Sequence, residues 1–253
     1  MTMPWFEVDW PAPHGVRALS TFRGDGRGRD GQAGVSKAPY GSFNLGDHVG
    51  DDSAAVAENR RRLKVGAGLP GEPVWLPQAQ GIGVADLDSP GTLGPADAAI
   101  ARGPGKVCAI LTADCLPILF ATDSGDTVAA AHAGWRGLAA GVIEATVSAM
   151  GAPRGSLLAW LGPAIGPKQF EVGTEVRDAF LAADAKAGGA FEANARGRYM
   201  ADLGMLARQR LQGLGVSRIY GGGECTFTQA DRYYSHRRDG ITGRQATLIW
   251  RDG

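Results

Sequence analysis

A cysteine and a histidine stand at the ends of two neighbouring apolar segments of this chain. Cys115 lies in Leu111-Thr-Ala-Asp-Cys-Leu-Pro-Ile-Leu-Phe120, and His132 in Ala131-His-Ala-Gly-Trp-Arg-Gly137. Free cysteine is usually buried and inert, and histidine is scarce here, with 4 in 253 residues. If the segment after Cys115 pairs as a hairpin with the segment before His132, the imidazole returns to the thiol. A thiolate beside an imidazole can ligate zinc or form a nucleophile–base pair. Both uses are chemical.

The flanking residues refine this reading. Pro117 cannot donate to a strand ladder, which places Cys115 at a strand break with its side chain facing a cavity. Gly134 and Gly137 permit a tight turn into a following helix, whose first amides, with Arg136 beside them, suit a phosphate or carboxylate. A solvent-facing charge is the plainer role for Arg136. Of the other thiols, Cys108 lies inside a strand-like run and reads as core. Cys225 sits in Gly221-Gly-Gly-Glu-Cys-Thr226, near a turn.

The elements that must position these groups are short. Val16-Arg-Ala-Leu-Ser-Thr21 alternates as a strand does, and a helix is expected over 53–65 with Asp51 or Asp52 as its cap. Apolar segments follow at 74–76, 82–87, 107–111, 118–120 and 127–131, several of them β-branched and bounded by Gly, Pro or Asp. The periodicity of Leu138, Val142, Ala145 and Ala149 predicts one helix over 138–150. Beyond it come a strand at 157–161, helices at 175–183 and 201–214, and strands at 217–220 and 245–250. Hairpins beside crossover helices argue for one α/β domain with mixed sheet, spanning 1–253. The glycine-rich stretch from Gly24 to Gly34 reads as a surface loop.

Composition narrows the classes. Basic and acidic residues balance at 26 each, so no global field favours nucleic acid or a membrane surface. The apolar runs are too short to span a bilayer, and the N-terminus has neither a basic nor a hydrophobic segment of the kind a signal peptide needs. Three cysteines make a sparse, odd set with no disulfide framework, so a reducing cytoplasmic setting is expected. Oligomeric state is not legible.

Longer motifs identify a relative. Asn44-Leu-Gly, His48-Val-Gly-Asp-Asp, Glu58-Asn-Arg, Thr112-Ala-Asp-Cys-Leu-Pro117, His132-Ala-Gly-Trp-Arg-Gly137, Leu161-Gly-Pro-Ala-Ile-Gly-Pro167, Phe170-Glu-Val-Gly173, Arg237-Arg-Asp-Gly240 and Thr242-Gly-Arg244 run nearly end to end. With them the chain resembles the YfiH family, bacterial purine nucleoside phosphorylases formerly described as laccase-like polyphenol oxidases. The resemblance implies two mixed β-sheets flanked by helices (α/β/β/α layers), and a zinc site of one Cys and two His. Cys115 and His132 match two of these ligands. The third position, in a Gln-Val-His-Gly motif of the family, is Gln80 here.

An amide oxygen is a weak zinc donor compared with imidazole. Zinc is therefore expected to bind more weakly than in the family, with His48 the candidate replacement ligand. Copper is the lesser alternative, because one Cys and few His cannot build an imidazole-rich multicopper centre. The substrates implied are a purine nucleoside, adenosine or inosine, and phosphate, with adenosine deamination as a side activity. Asn44, His48, Arg136 and Arg237 are the substrate-binding candidates, Arg238 being paired with Arg237. Asp114 is a candidate to orient His132 or act as an acid. Tyr233, Tyr234, Phe43 and Trp135 could stack on a purine or simply pack. Two other readings stay open: a Cys/His amide hydrolase editing peptidoglycan precursors, and a catalytically degenerate binding homologue.

Overall fold

Runs of small and branched residues fill the middle of the chain, and they form strands buried along their whole length. In the computed structural model, which describes residues 3–24, 34–89 and 94–253, the first half contains β1 (Trp5–Glu7), β2 (Val16–Thr21), α1 (Ser53–Gly66), β3 (Pro73–Trp75), β4 (Val84–Asp86) and β5 (Ala98–Ala101). Next come β6 (Val107–Thr112), β7 (Leu116–Thr122), β8 (Val128–Ala133), α2 (Trp135–Ala140), α3 (Val142–Met150) and β9 (Leu157–Leu161). The remainder is β10 (Glu171–Val172), α4 (Thr174–Leu181), β11 (Phe191–Ala193), β12 (Tyr199–Ala201), α5 (Leu203–Gly213), β13 (Arg218–Gly221), α6 (His236–Asp239) and β14 (Gln245–Arg251). Most of the Gly24–Gly34 stretch, residues 25–33, lies outside the described residues.

Two mixed sheets carry the fold. One has the order β1-β2-β14-β6-β3, the other β13-β9-β7-β8-β5-β4. They pack face to face: Ala18, Cys108, Ile110 and Ile249 of the first meet Leu119, Ala121, Val128 and Ala130 of the second in one apolar cluster. The outer face of the six-stranded sheet is covered by α2 to α5 through Leu138, Val142, Val147, Phe180 and Leu206. The outer face of the other packs on α1 through Leu63. This gives the α/β/β/α layering, with strands buried on both faces as their unbroken apolar character requires. A small sheet, β10-β12-β11, lies apart. Among the described residues no helix is long and apolar enough to cross a membrane.

The expected helix over 138–150 is in fact two. Gly141 adopts φ 105°, ψ 33°, ends α2 by donating to the carbonyls of Gly137 and Leu138, and opens α3. A left-handed residue interrupts a helix while leaving its apolar period intact, so periodicity alone could not reveal it. Pro117 also departs from expectation: it is the second residue of β7, paired opposite His132. His132 turns its N–H away towards β5, to the Asp97 carbonyl at 2.6 Å, so this pair needs no donor from proline.

Helix α1, capped by the Asp52 side chain accepting from the Ala54 amide, fixes the loop that precedes it. Asn59 is fully buried on its inner face. Its Nδ2 donates to Ser36 Oγ (3.0 Å) and the Asn44 carbonyl (2.9 Å), and its Oδ1 accepts from the Val35 amide (2.9 Å). Asn59→Ala leaves these groups unsatisfied and should lower the unfolding free energy by about 2–3 kcal/mol in urea titration. A loss below about 0.5 kcal/mol would mean that the loop holds itself.

Candidate functional site

The hairpin register does the positioning. Pairing Leu116 with Ala133 and Pro117 with His132 sets the start of β7 against the end of β8. Cys115 lies one residue before β7. Gly134, just after β8, shows how close the two groups come. A Cβ at this position would stand 3.1 Å from Cys115 Sγ and 3.6 Å from His132 Nε2. Thiol and imidazole thus face one small space that the glycine leaves open.

Asp97, the residue before β5, organises the other side of the imidazole. Its Oδ1 accepts from His132 Nδ1 (2.8 Å) and the Gln80 amide (3.0 Å), and its Oδ2 from the amides of Gly81 (2.7 Å) and Ala79 (3.1 Å). Its side chain is 1% exposed. Burial by itself would raise the carboxyl's pKa, but the hydrogen bonds from His132 and these amides outweigh it and hold it low. Burial likewise opposes a charged imidazole. The interactions with Cys115 and with Asp97 overcome it and push His132 up to about 9.

Two turns at the site are strained. Gln80 (φ 57°) and Asp114 (φ 93°) are the non-glycine residues with positive φ among the described residues. Asp97 holds the first turn through its amides. The second is held by its own carboxylate: Asp114 Oδ1 accepts from Thr226 Oγ1 (2.6 Å) and Oδ2 from the Arg237 amide (2.7 Å). Asp114 therefore does not orient His132. Asp97 does, and nothing local to Cys115 or His132 in the sequence pointed to it.

The zinc ligands implied by the resemblance are only partly present. Gln80 is exposed, and its Oε1 accepts from Arg136 Nη1 at 3.3 Å. His48 is exposed on its loop, with Nδ1 3.5 Å from Asp47 Oδ1. Among the described residues no third His, Cys, Asp or Glu joins Cys115 and His132 in a group able to hold a metal ion. His48 is thus not brought in as a replacement. One thiolate, one imidazole and an amide oxygen already bonded to a guanidinium do not fit a His–Cys–His centre.

Other sequence candidates separate by their partners. Asn44 is fully buried, and its amide is used internally: Oδ1 accepts from the Gly46 and Arg244 amides, and Nδ2 donates to the Gly46 carbonyl and Asp51 Oδ2. It shapes the site and presents nothing to a ligand. Arg238 is structural, donating to the carbonyls of Thr226, Phe227 and Tyr233. Arg237 is exposed, with Nη1 on the Glu171 carbonyl and its guanidinium over Phe170. Arg136 is exposed above Trp135, 4.4 Å from the ring centroid, and α2 behind it is only six residues long. Phe43, Tyr233 and Tyr234 are fully buried and serve packing, which leaves Trp135 partly open. Arg244, half-buried beside Asn44, went unassigned within its motif.

Asp97→Asn removes one of the interactions that favour the imidazolium, the other being with Cys115. Because the folded pKa of His132 lies above 6.5, its contribution to stability is full below pH 6.5 and fades as pH rises through about 9. In Asp97→Asn the imidazole should lose its proton at lower pH, and the pH dependence of the melting temperature should flatten. NMR titration of the His132 ring checks this. An unchanged midpoint would show that Asp97 does not hold the proton.

Comparison with known proteins agrees with the fold. The family model described as multi-copper polyphenol oxidoreductase laccase matches residues 29–252. A Pseudomonas aeruginosa protein named purine nucleoside phosphorylase is 55% identical over 247 residues, 97% of this chain and 98% of that one. Purine nucleoside phosphorylase YfiH of Escherichia coli is 52% identical over 242 residues, 95% of this chain and 96% of that one. Among solved structures, a Neisseria meningitidis protein superposes with a TM-score of 0.92 at 45% identity, covering 99% of this chain and all of that one. A YfiH protein of Bacillus licheniformis gives 0.84 at 26%, covering 94% and 93%. By sequence and by fold, the chain belongs to the YfiH family.

Proposed function

We propose that this chain is a purine nucleoside phosphorylase, converting adenosine or inosine and phosphate into the free base and ribose 1-phosphate. The observation that carries the reading is the convergence of Cys115 and His132 at Gly134, with Asp97 behind the imidazole. Relatives of 52–55% identity that bear the phosphorylase name over nearly the whole chain support it.

In phosphorolysis a phosphate oxygen bonds to C1′ of the ribose while the C1′–N bond breaks and its electron pair leaves with the purine. The base must take up a proton, and the phosphate must be held against the sugar. His132 suits the protonation, since its Nδ1 is anchored on Asp97 and its Nε2 faces the open space beside Gly134. Exposed cations at the rim, Arg136 and Arg237, suit the holding of phosphate. Trp135 offers a face to the purine. In this reading zinc is held more weakly than in the family, because the third donor is an amide already bonded to Arg136. Adenosine deamination is the accompanying side activity to be tested, as inosine formed without phosphate.

A second reading has one observation in its favour. Thiol, imidazole and carboxylate stand in the order of a nucleophile, base and orienting group, which suits amide hydrolysis. Incubation with inosine and phosphate separates the two. Ribose 1-phosphate is expected; release of an amino acid from a muropeptide nucleotide, with no ribose 1-phosphate, would replace the phosphorylase by the hydrolase. Binding without turnover would leave a degenerate homologue.

Gln80→His restores the missing donor type. Zinc retained after gel filtration should rise towards one per chain. Cys115→Ala should abolish that gain. Tight stoichiometric zinc in the unmodified protein would contradict the weakened site.

A further inference from the structure

We propose that Arg244 seats the phosphate co-substrate, its guanidinium steered towards Cys115 by the missing side chain of Gly46. The assignment rests on the phosphorylase reading for the identity of the anion; the seat itself rests on geometry.

The stem of Arg244 lies across Gly46. A Cβ on Gly46 would come within 2.7 Å of Arg244 Cγ and 3.1 Å of its Cβ, so any larger residue would displace the arginine. The two backbones are also tied. Asn44 Oδ1 accepts from both amides, and the Leu45 amide donates to the Arg244 carbonyl at 3.1 Å. The guanidinium is then pinned at one nitrogen, where Nη1 donates to the Thr242 and Gly243 carbonyls at 3.0 Å each. Nε and Nη2 have no hydrogen-bond partner among the described residues. These two lie along one edge of the planar group, the edge that pairs side-on with two oxygens of a phosphate.

Among the described residues no carboxylate lies within ion-pair distance of this charge. Arg244 is half-buried, yet the described residues give it no ion pair. The register places it by the thiol: Gln245, next to Arg244, pairs with Thr112 at the end of β6, from which Asp114 and Cys115 follow. Both oxygens of Asp114 are already taken, by Thr226 and by the Arg237 amide. A cation partly withdrawn from water without a partner is costly, and an anion in the same pocket offsets that cost. The Thr242-Gly-Arg244 motif thereby acquires a role: it presents a cationic fork at the pocket that holds the thiol and imidazole.

The test is calorimetry with inorganic phosphate alone, beside steady-state kinetics with inosine. Arg244→Gln should weaken phosphate binding and raise the phosphate KM about 10- to 100-fold, leaving the nucleoside KM within about 2-fold. Arg244→Lys, which keeps the charge and loses the fork, should fall between. Gly46→Ala should weaken phosphate while the guanidinium is still present. Circular dichroism melts show which variants fold; if Arg244→Gln does not, the other two decide. Phosphate affinity unchanged across the folded variants, or no phosphate binding by the unmodified protein, overturns the seat. If phosphate binding depends on Arg244 but no nucleoside yields ribose 1-phosphate, the seat stands and the phosphorylase reading falls.

Discussion

One buried carboxylate ties the site together. Asp97 receives three backbone amides from 79–81 and the imidazole of His132, which fills the roughly four acceptor positions a carboxylate has. Through it, three segments distant in sequence share one charge: the turn at Gln80, the start of β5 and the end of β8. The same group that orients His132 therefore sets the backbone of the neighbouring loop. Neither can move without disturbing the other. A charge at 1% exposure is tolerable only because every acceptor is matched, most of them by amides with no freedom to turn away.

The sheets supply the rest of the rigidity. Cys115 and His132 sit at the ends of adjacent strands near the middle of a six-stranded sheet, covered on both faces. Among the described residues, non-glycine backbone with positive φ occurs at the two turns beside this pair, at Gln80 and Asp114, and each is locked by carboxylate hydrogen bonds. The departure at Gln80 is accordingly one of donor chemistry. Its turn is held in place, while the side chain points to Arg136. Among the described residues the Arg244 guanidinium has as hydrogen-bond partners only the carbonyls of Thr242 and Gly243.

The legible part of this fold was its local part. The β7–β8 hairpin joins strands a few residues apart, and the apolar runs on either side of it announce themselves. The cap, expected at Asp51 or Asp52 and found at Asp52, and the strand at Val16–Thr21 were legible for the same reason, each being specified by neighbouring residues. Asp97 was invisible for the opposite reason. It is an isolated acid among alanines, and its meaning comes entirely from amides 16 to 18 residues before it and a ring 35 residues after it. Gly141 interrupts a helix without interrupting its apolar stripe. The strands of the small sheet, two or three residues long, carry no period to read. Asn44 looked like a ligand contact and is a loop fastener, since a motif records that a residue matters without recording which way its amide points.

The placement of β14 has a consequence for how the molecule comes into being. This last strand lies between β2 and β6 and pairs with both, so until it arrives the β1–β2 ribbon and the β6–β3 pair are separate pieces. The six-stranded layer draws only on residues 84–221 and can be completed earlier on the ribosome. Its partner layer must wait for the chain through Arg251, closing a loop of more than two hundred residues between β2 and β14. During that interval the inner apolar face of the finished sheet lacks the cover of Ile249 from β14, and a nascent chain stalled before β14 would present the gap to chaperones.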